Sequence, residues 1–417
     1  MQPFAALTPS QFFQQNAFTH PESFLCGNTI STSNPANGPL AGMEQMPDYD
    51  NHEGVFFRAD AESSCLFFAF IHHTNRGQAQ GGTRFFSYET MQDLLSDGLR
   101  LSKAMSEKCA VAGLWWGGGK SIICPVGFSI KEATPERRKV IFANFGKFIA
   151  SLHGAYVAAE DMNTTPEDMQ TILSQNRFVT CIPKTAGGSG NPSPFTAEGV
   201  FKSMLATARV LEGKSDLSGM SVSIQGLGNV GGALARYVLG SGVSKLYVTD
   251  LMPERMEQVK SWAPDVVEIV SSKEALLSQP CDIFAPCAGG KVIDDQTIEW
   301  LKCRYVIGAA NNQLERPERH AAMLHAKGIL YLPDFFINRM GIINCANEQY
   351  GWLEVTLQEE VVKIYEDTVH LLEASRSRNI SPQEMAMIQA GEAMKKMHPI
   401  WPGRGKQLIQ KAANERL

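Results

Sequence analysis

The chain is predicted to be an α/β protein with a doubly wound, mostly parallel sheet in its C-terminal half, and three observations predict this. Short apolar runs alternate with helix-like stretches from Thr196 onward, a glycine-rich turn follows the first such run, and a Gly/Pro segment separates this half from the one before it. In chain order, Met1 to Asn51 is rich in Asn, Pro, Ser and Gln with only short apolar runs, so residues 1–50 read as an arm and not a core element. Val55–Phe57 and Cys65–Ile71 read as strands, being apolar and aromatic runs bounded by polar residues. From Met91, the positions at i+3, i+4, i+7 and i+8 are Leu94, Leu95, Gly98 and Leu99, and Met105 continues the stripe, which predicts a helix over Thr90 to Lys108. Ile122–Pro125 resembles a strand. Pro135 to Leu152 carries Val140, Ile141, Phe145, Phe148 and Ile149 on one helical face, and Ala155–Ala159 is a short strand running into Glu160 and Asp161. Gly187 to Pro194 holds neither helix nor central strand readily, because Gly is too free and Pro lacks a donor; it is read as the hinge between domains. Then come a helix at Thr196–Leu211, a strand at Ser221–Gln225, a helix at Val230–Leu239 and a strand at Lys245–Thr249. Further strands are expected at Ile283–Ala285, Tyr305–Ile307 and Ile329–Leu332, and helices from Glu354 to Leu417, broken at Ser381-Pro382 and around Pro399 to Gly405.

A length of 417 residues with 44% apolar content suits two domains of ordinary size. Net charge is only -5, with basic and acidic residues mixed along the chain, so neither nucleic acid nor an anionic membrane surface is an expected partner. The amino terminus lacks a basic stretch followed by a long apolar core, and no run is long enough to span a bilayer. The nine cysteines are scattered and never form a C-x-x-C pair, which points to a reducing cytoplasm and to no bound structural metal.

The strand Ser221–Gln225 runs into Gly226-Leu227-Gly228-Asn229-Val230-Gly231, a G-x-G-x-x-G turn between a strand and a helix. Glycine allows the tight turn and lets backbone amides approach a pyrophosphate at the positive end of the helix. The next strand ends in Asp250, where a carboxylate accepts hydrogen bonds from the adenine ribose hydroxyls. A Rossmann-type dinucleotide site follows. Asp250 repels a 2'-phosphate and is followed by Leu251, Met252 and Pro253 with no immediate arginine, so the expected cofactor is NAD and not NADP.

Gly117-Gly118-Gly119-Lys120-Ser121 invites a rival reading as a phosphate-binding P-loop. That motif needs four residues between its first glycine and the Gly-Lys pair, whereas Gly113 leaves five, and a strand follows where a helix should begin. A lysine behind three glycines reaches instead into a cleft where a ligand approaches the backbone. Lys108 lies nearby in sequence, and two ammonium groups at one site depress one pKa toward neutrality; two solvated surface lysines are the plainer alternative.

Gly81-Gly82-Thr83-Arg84, Leu101-Ser102-Lys103-Ala104-Met105 with Lys108, Ala112-Gly113-Leu114 with Gly117 to Lys120, and Ala159-Glu160-Asp161 together resemble the signature of the glutamate/leucine/phenylalanine/valine dehydrogenases. Gly190-Asn191-Pro192-Ser193-Pro194, Cys281 to Ala288 and Asn312-Gln313-Leu314 are similar to the leucine dehydrogenase branch, and the resemblance runs from about Gly54 to Gly351. It implies a substrate (dimerisation-type) domain at 51–188, an NAD-binding Rossmann domain at 189–384 with the active-site cleft between the two, a C-terminal segment at 385–417 returning to the substrate domain, and a homo-oligomer. It also implies roles. Lys108 would bind the α-carboxylate of an amino acid beside Gly82 and Met105, in a charge-assisted bond contributing about 1.5 to 3 kcal/mol. Lys120 would be the general base that activates water, Asp161 would shuttle the amino-group proton, and Thr196, Ala288 and Asn312 would orient the nicotinamide. The products would be a 2-oxo acid and ammonia. For Asp161, the plainer reading is a helix cap before Thr164-Thr165-Pro166.

The same resemblance places the side-chain pocket at Gln80, Ala159, Ile342 and Cys345. Glutamate-specific relatives carry a lysine at the first position and a serine at the last; neither is present, and a buried carboxylate without a cation is costly, so a non-acidic, apolar or aromatic L-amino acid is expected. Two departures qualify this. Gln80 stands where the leucine branch has an apolar residue, and its amide is to be satisfied by the substrate or by nearby backbone; the sequence leaves both open. Arg339-Met340 stand within Asn338-Arg339-Met340-Gly341 where the family has Asn-Ala-Gly-Gly, adding bulk or a cation beside the pocket. A catalytically silent homologue that binds NAD or an amino acid as a regulatory module is the alternative, against which intact Lys108, Lys120 and Asp161 argue.

Overall fold

The computed structural model describes residues 6–19, 21–30, 34, 38–349 and 353–416; parts of the expected arm, and Gly351 at the end of the resemblance, lie outside the described residues. The chain divides into two compact units, the first comprising Met1–Gly190, Glu348–Trp352 and Ala390–Leu417, the second Asn191–Asn347 and Leu353–Gln389.

The sheet of the first unit contains β1 (Glu22–Cys26), β2 (Gly54–Asp60), β3 (Cys65–His73), β4 (Ala79–Phe85), β5 (Gly117–Pro125) and β6 (Tyr156–Glu160). Their spatial order is β1-β2-β3-β5-β4-β6, antiparallel from β1 to β5 and parallel across β5, β4 and β6. The helix Met91–Val111 covers one face and Pro135–Ala150 packs on the other. On the first face, Phe57, Phe68, Phe70 and Ile122 meet Leu94, Leu95 and Leu99, the apolar stripe read from the sequence. Gly98 belongs to that stripe for a steric reason: a Cβ there would lie 2.2 Å from the Phe70 ring.

The expected arm is corrected by this structure. Pro9–Asn16 is a helix and β1 pairs with β2 along its whole length, while Phe12, Leu25, Leu40 and Met43 join the first unit's core. Its polar composition hid isolated apolar anchors. A local signal was present, since Thr8 and Gln11 form a reciprocal capping box around Pro9 at the first helical turn. A second correction concerns β4, which the sequence reading left as a motif. Paired glycines weaken strand propensity, yet the neighbouring backbone leaves no room for a side chain: a Cβ on Gly81 would stand 1.8 Å from the Gly119 carbonyl oxygen.

In the second unit β7 (Ser221–Gln225), β8 (Lys245–Thr249), β9 (Val267–Ile269), β10 (Cys281–Pro286), β11 (Cys303–Val306) and β12 (Leu330–Tyr331) form an all-parallel sheet in the order β12-β11-β10-β7-β8-β9. This is the doubly wound topology, with the chain reversing direction across the sheet beside β7, where ligands bind in such folds. The short β9 went unread because three residues carry no periodicity. The helix expected from Thr196 begins at Ser193, because Pro194 is tolerated in a first turn whose amides have no intrahelical partner. Ala390–Leu417 belongs to the first unit, with the His398 amide donating to the Asn75 carbonyl and Gly405 packed on Thr74.

Candidate active site

In the first unit the register of three strands gathers the predicted substrate residues. Gln80 pairs with Gly118 and Val157, and Gly82 with Ala159, so by strand alternation Gln80, Gly82 and Arg84 share a face with Lys120, Ala159 and Asp161. The helix Met91–Val111, which carries Met105 and Lys108, lies over part of that face. It comes close because β5 is glycine: a Cβ on Gly118 would sit 2.1 Å from the Ser106 amide nitrogen. The glycines before Lys120 were read as leaving room for a ligand. They are strand residues, and at Gly118 and Gly119 the space is taken by Ser106 and by the Tyr156 ring. An extended Lys120 within β5 also removes the P-loop reading, which needs its lysine at a helix start.

Lys120 is buried and its Nζ donates to Asp161 Oδ2. Arg84 Nε reaches the same oxygen at 3.3 Å, while Arg84 Nη1 is 2.7 Å from Asp97 Oδ2, which also accepts from Tyr88 Oη at 2.6 Å. Burial lowers the Lys120 pKa below the ordinary lysine value against the pull of Asp161, and the Arg84 guanidinium lowers it further. The depressing cation is thus Arg84, where the sequence suggested Lys108. Burial pushes the Asp161 carboxyl up, but Lys120 and Arg84 outweigh it and hold the pKa at about 2. Asp161 is not a helix cap: Thr165 caps Pro166–Leu173, and the Asp161 amide donates to Thr164 Oγ1. Gly82 completes the arrangement, since a Cβ there would meet the Asp161 Cβ at 2.6 Å. Arg84, Asp97 and Tyr88 were missed as a chain; the arginine was legible in the motif, but its partners lie on a loop and a helix that only folding brings together.

With Lys120 as the base that the resemblance implies, acting in its neutral form, kcat/KM would rise with pH through the pKa of Lys120, with a midpoint below the 10.5 of an unperturbed lysine. A limb at or above 10.5 would detach the rate from this lysine.

The second unit holds the predicted dinucleotide residues. Gly226 has φ 91°, and a Cβ on Gly231 would stand 1.9 Å from the Gly226 carbonyl oxygen, so the turn and the helix-to-strand packing both demand glycine. Gly228 is the N-cap of the helix Asn229–Gly240, with no side chain capping the helix, and a Cβ there would meet nothing nearer than Arg255 Nη1 at 4.0 Å. Amide donors in the first turn, at Asn229, Val230 and beyond, are thus open to an anion, and the loop fits a pyrophosphate. Asp250 Oδ2 accepts from the Leu227 amide at 2.5 Å and Oδ1 from the Met252 amide at 2.8 Å, which fixes the carboxylate beside the loop. Arg255 Nη1 lies 3.5 Å from Asp250 Oδ1. It stands five residues on, in the first turn of the helix Pro253–Trp262, beyond the window that was read for an arginine. Ala288 abuts Gly226, Thr196 abuts Gly341, and Asn312 sits in the left-handed region at φ 53°. Ile342 and Cys345 are buried in the helix Met340–Gln349.

Residues 57–177 match the family model described as Glu/Leu/Phe/Val dehydrogenase, dimerisation domain, and residues 240–398 match that of Glutamate/Leucine/Phenylalanine/Valine dehydrogenase. The leucine dehydrogenase of Geobacillus stearothermophilus is 39% identical over 359 residues, covering 85% of this chain and 94% of its own. The chain belongs to the Glu/Leu/Phe/Val dehydrogenase family. The phenylalanine dehydrogenase of Lysinibacillus sphaericus is 41% identical over 304 residues, covering 72% of this family member and 77% of its own chain. Among solved structures, the L-tryptophan dehydrogenase of Nostoc punctiforme superposes with a TM-score of 0.69 at 34% identity, covering 82% of this chain and 96% of that one.

In this dehydrogenase Arg339 and Met340, which the sequence reading set beside the side-chain pocket, are engaged in packing. Arg339 is buried, ion-paired to Asp367, hydrogen-bonded to the Phe336 carbonyl at 3.1 Å and stacked over the Phe336 ring. Met340 fills space against Gly199, where a Cβ would meet it at 2.9 Å. The cation is used within the second unit's own fold.

Proposed function

We propose that this dehydrogenase catalyses the NAD-dependent oxidative deamination of a non-acidic, apolar or aromatic L-amino acid to its 2-oxo acid and ammonia. The observation that carries the reading is the buried Lys120–Asp161 pair, tied to Arg84 and set beside Gly82 on one sheet face. Dehydrogenases named for leucine and phenylalanine among its relatives support the substrate class.

Lys108 binds the substrate α-carboxylate, with Gly82 and Met105 beside it. Lys120, whose burial favours the neutral amine, takes the proton of the water that attacks the imino carbon. Asp161 shares a hydrogen bond with Lys120, so a proton passes between the two without solvent and reaches the departing amino group. Arg84 keeps Asp161 ionised until that proton arrives. A bound dinucleotide would supply the acceptor for the hydride that leaves the α-carbon. Gly226, Gly228, Asn229, Val230 and Gly231 would hold its pyrophosphate, Asp250 its adenine ribose, and Thr196, Ala288 and Asn312 its nicotinamide end. No observation favours the silent homologue, since the proton-transfer pair is complete.

The test is a panel of L-amino acids with NAD, following absorbance of the reduced cofactor at alkaline pH. Turnover of leucine, valine, phenylalanine or tryptophan but not glutamate is expected; silence across the panel with NAD still bound would overturn the reading. Asp250→Ala is expected to raise the Kd for NAD at least about tenfold, the size of a lost hydrogen bond to a charged group. Binding as tight as wild type would remove its ribose role. We further propose that identical chains assemble through the first unit, which carries the dimerisation-domain match, and that the protein works in a reducing cytoplasm; among the described residues no helix is long and apolar enough to cross a membrane.

A further inference from the structure

Gln80 is 1% exposed. Its Nε2 donates to Thr180 Oγ1 at 2.8 Å, whereas its Oε1, equally buried, has no partner within the protein among the described residues. A buried amide oxygen left without a donor is destabilising, and such atoms are rare in native interiors. The orientation of the amide is set by its neighbour. Thr180 Oγ1 directs its own hydrogen to the Ala158 carbonyl at 3.4 Å, which leaves a lone pair for the Gln80 N–H and turns the Gln80 oxygen away from Thr180. Thr180 itself is held by its amide, which donates to the same carbonyl at 2.9 Å.

The position of this orphan acceptor decides what it is for. Strand alternation puts Gln80 on the face that bears Gly82, Lys120 and Asp161, two residues along β4 from Gly82. Its cross-strand neighbours on β6, Val157 and Ala159, are apolar and buried. Among the described residues no cation is hydrogen-bonded to Gln80, so a side-chain carboxylate would meet a bare carbonyl oxygen and be repelled. An apolar body ending in a neutral donor fits all of these features.

Resting on the deamination reading above, we propose that Gln80 Oε1 accepts a hydrogen bond from the substrate side chain, and that the preferred substrate is an aromatic L-amino acid bearing a donor, the indole N–H of tryptophan or the phenol O–H of tyrosine. A site built to bond such a group discriminates strongly against the analogue lacking it, because the buried acceptor is then left unpaired. Tyrosine and phenylalanine provide the clean pair, as they differ by one hydroxyl; tryptophan shows which donor is better placed.

The experiment measures kcat/KM for tyrosine, tryptophan, phenylalanine and leucine with NAD, for wild type, Gln80→Leu, Gln80→Met and Thr180→Val. Wild type is expected to favour at least one donor-bearing substrate, tyrosine over phenylalanine or tryptophan over leucine, by about tenfold or more. Gln80→Leu and Gln80→Met are expected to lower that ratio at least about tenfold, and Thr180→Val, which frees the amide, to lower it by less. Gln80→Met retains the length and volume of the side chain, so the comparison survives if the leucine variant folds poorly. If the ratios stay at wild-type values, or all substrates fall together, Gln80 does not read the side chain and the inference is overturned while deamination stands. If wild type oxidises none of the four amino acids yet binds NAD, this inference fails, and the deamination reading fails with it when the wider panel, valine included, is silent too.

Discussion

Replacing Lys120 by Ala is expected to lower kcat/KM for the best amino acid by about a thousandfold, within the range that a positioned general base contributes, while the Kd for NAD stays within about threefold. Lys120 is the buried amine of the sheet face that carries Asp161, and its proton has a direct route to that carboxylate. Removing it leaves Asp161 with Arg84 at 3.3 Å, so the carboxylate keeps one cation and the fold keeps most of its local electrostatics. Lys120→Gln separates the chemistry from the packing, since it retains a donor toward Asp161 but has no base; it should be as inactive as the alanine variant and melt closer to wild type. Steady-state kinetics with a cofactor titration and a melting curve for each variant make the comparison. Activity within tenfold of wild type in both would remove Lys120 as the base.

Gly81→Ala is expected to have the largest effect on stability of any single methyl group added to the first unit. Its Cβ would lie 1.8 Å from the Gly119 carbonyl oxygen and 2.5 Å from the carbonyl carbon, both backbone atoms of the strand paired beside it. Neither can move without parting β4 from β5. Overpacking of this kind costs about 3 kcal/mol or more. For a unit of this size that lowers Tm by roughly 6 to 12 °C or prevents soluble expression. Gly113→Ala is the control: Gly113 has φ +72° but nothing within 4 Å, so its cost is left-handed backbone strain alone, about 1 kcal/mol. Equal melting shifts for the two would show that β4 and β5 separate easily, and would also weaken the claim that their spacing sets Lys120 against Asp161.

The glycines mark the line between what was legible in the sequence and what was not. Gly226, Gly228 and Gly231 were readable because their roles are local: a turn, an open approach and a helix start lie within six residues, and β7 and Asp250 stand at the distances such a turn requires. Gly81, Gly82, Gly118 and Gly119 were readable only as a motif. Each is there because something distant in sequence passes over it, namely another strand, Asp161, Ser106 or Tyr156. No window of neighbouring residues contains that reason.

The alternating C-terminal elements, the amphipathic helix over β3 and β5 and the glycine-rich turn after β7 were legible in the sequence itself, because periodicity and turn chemistry act over short spans, whereas Lys120 and Asp161 stood out only through the family resemblance. Tertiary structure decided the rest. It drew Phe12 and β1 into the core, turned Arg339 onto Asp367, placed Arg255 beside Asp250, and made Arg84 the cation that acts on the Lys120–Asp161 pair. It also left one oxygen of Gln80 buried without a partner. These outcomes depend on which charges and hydrogen-bonding groups meet once water is removed, and that is settled by three-dimensional packing between elements far apart in the chain.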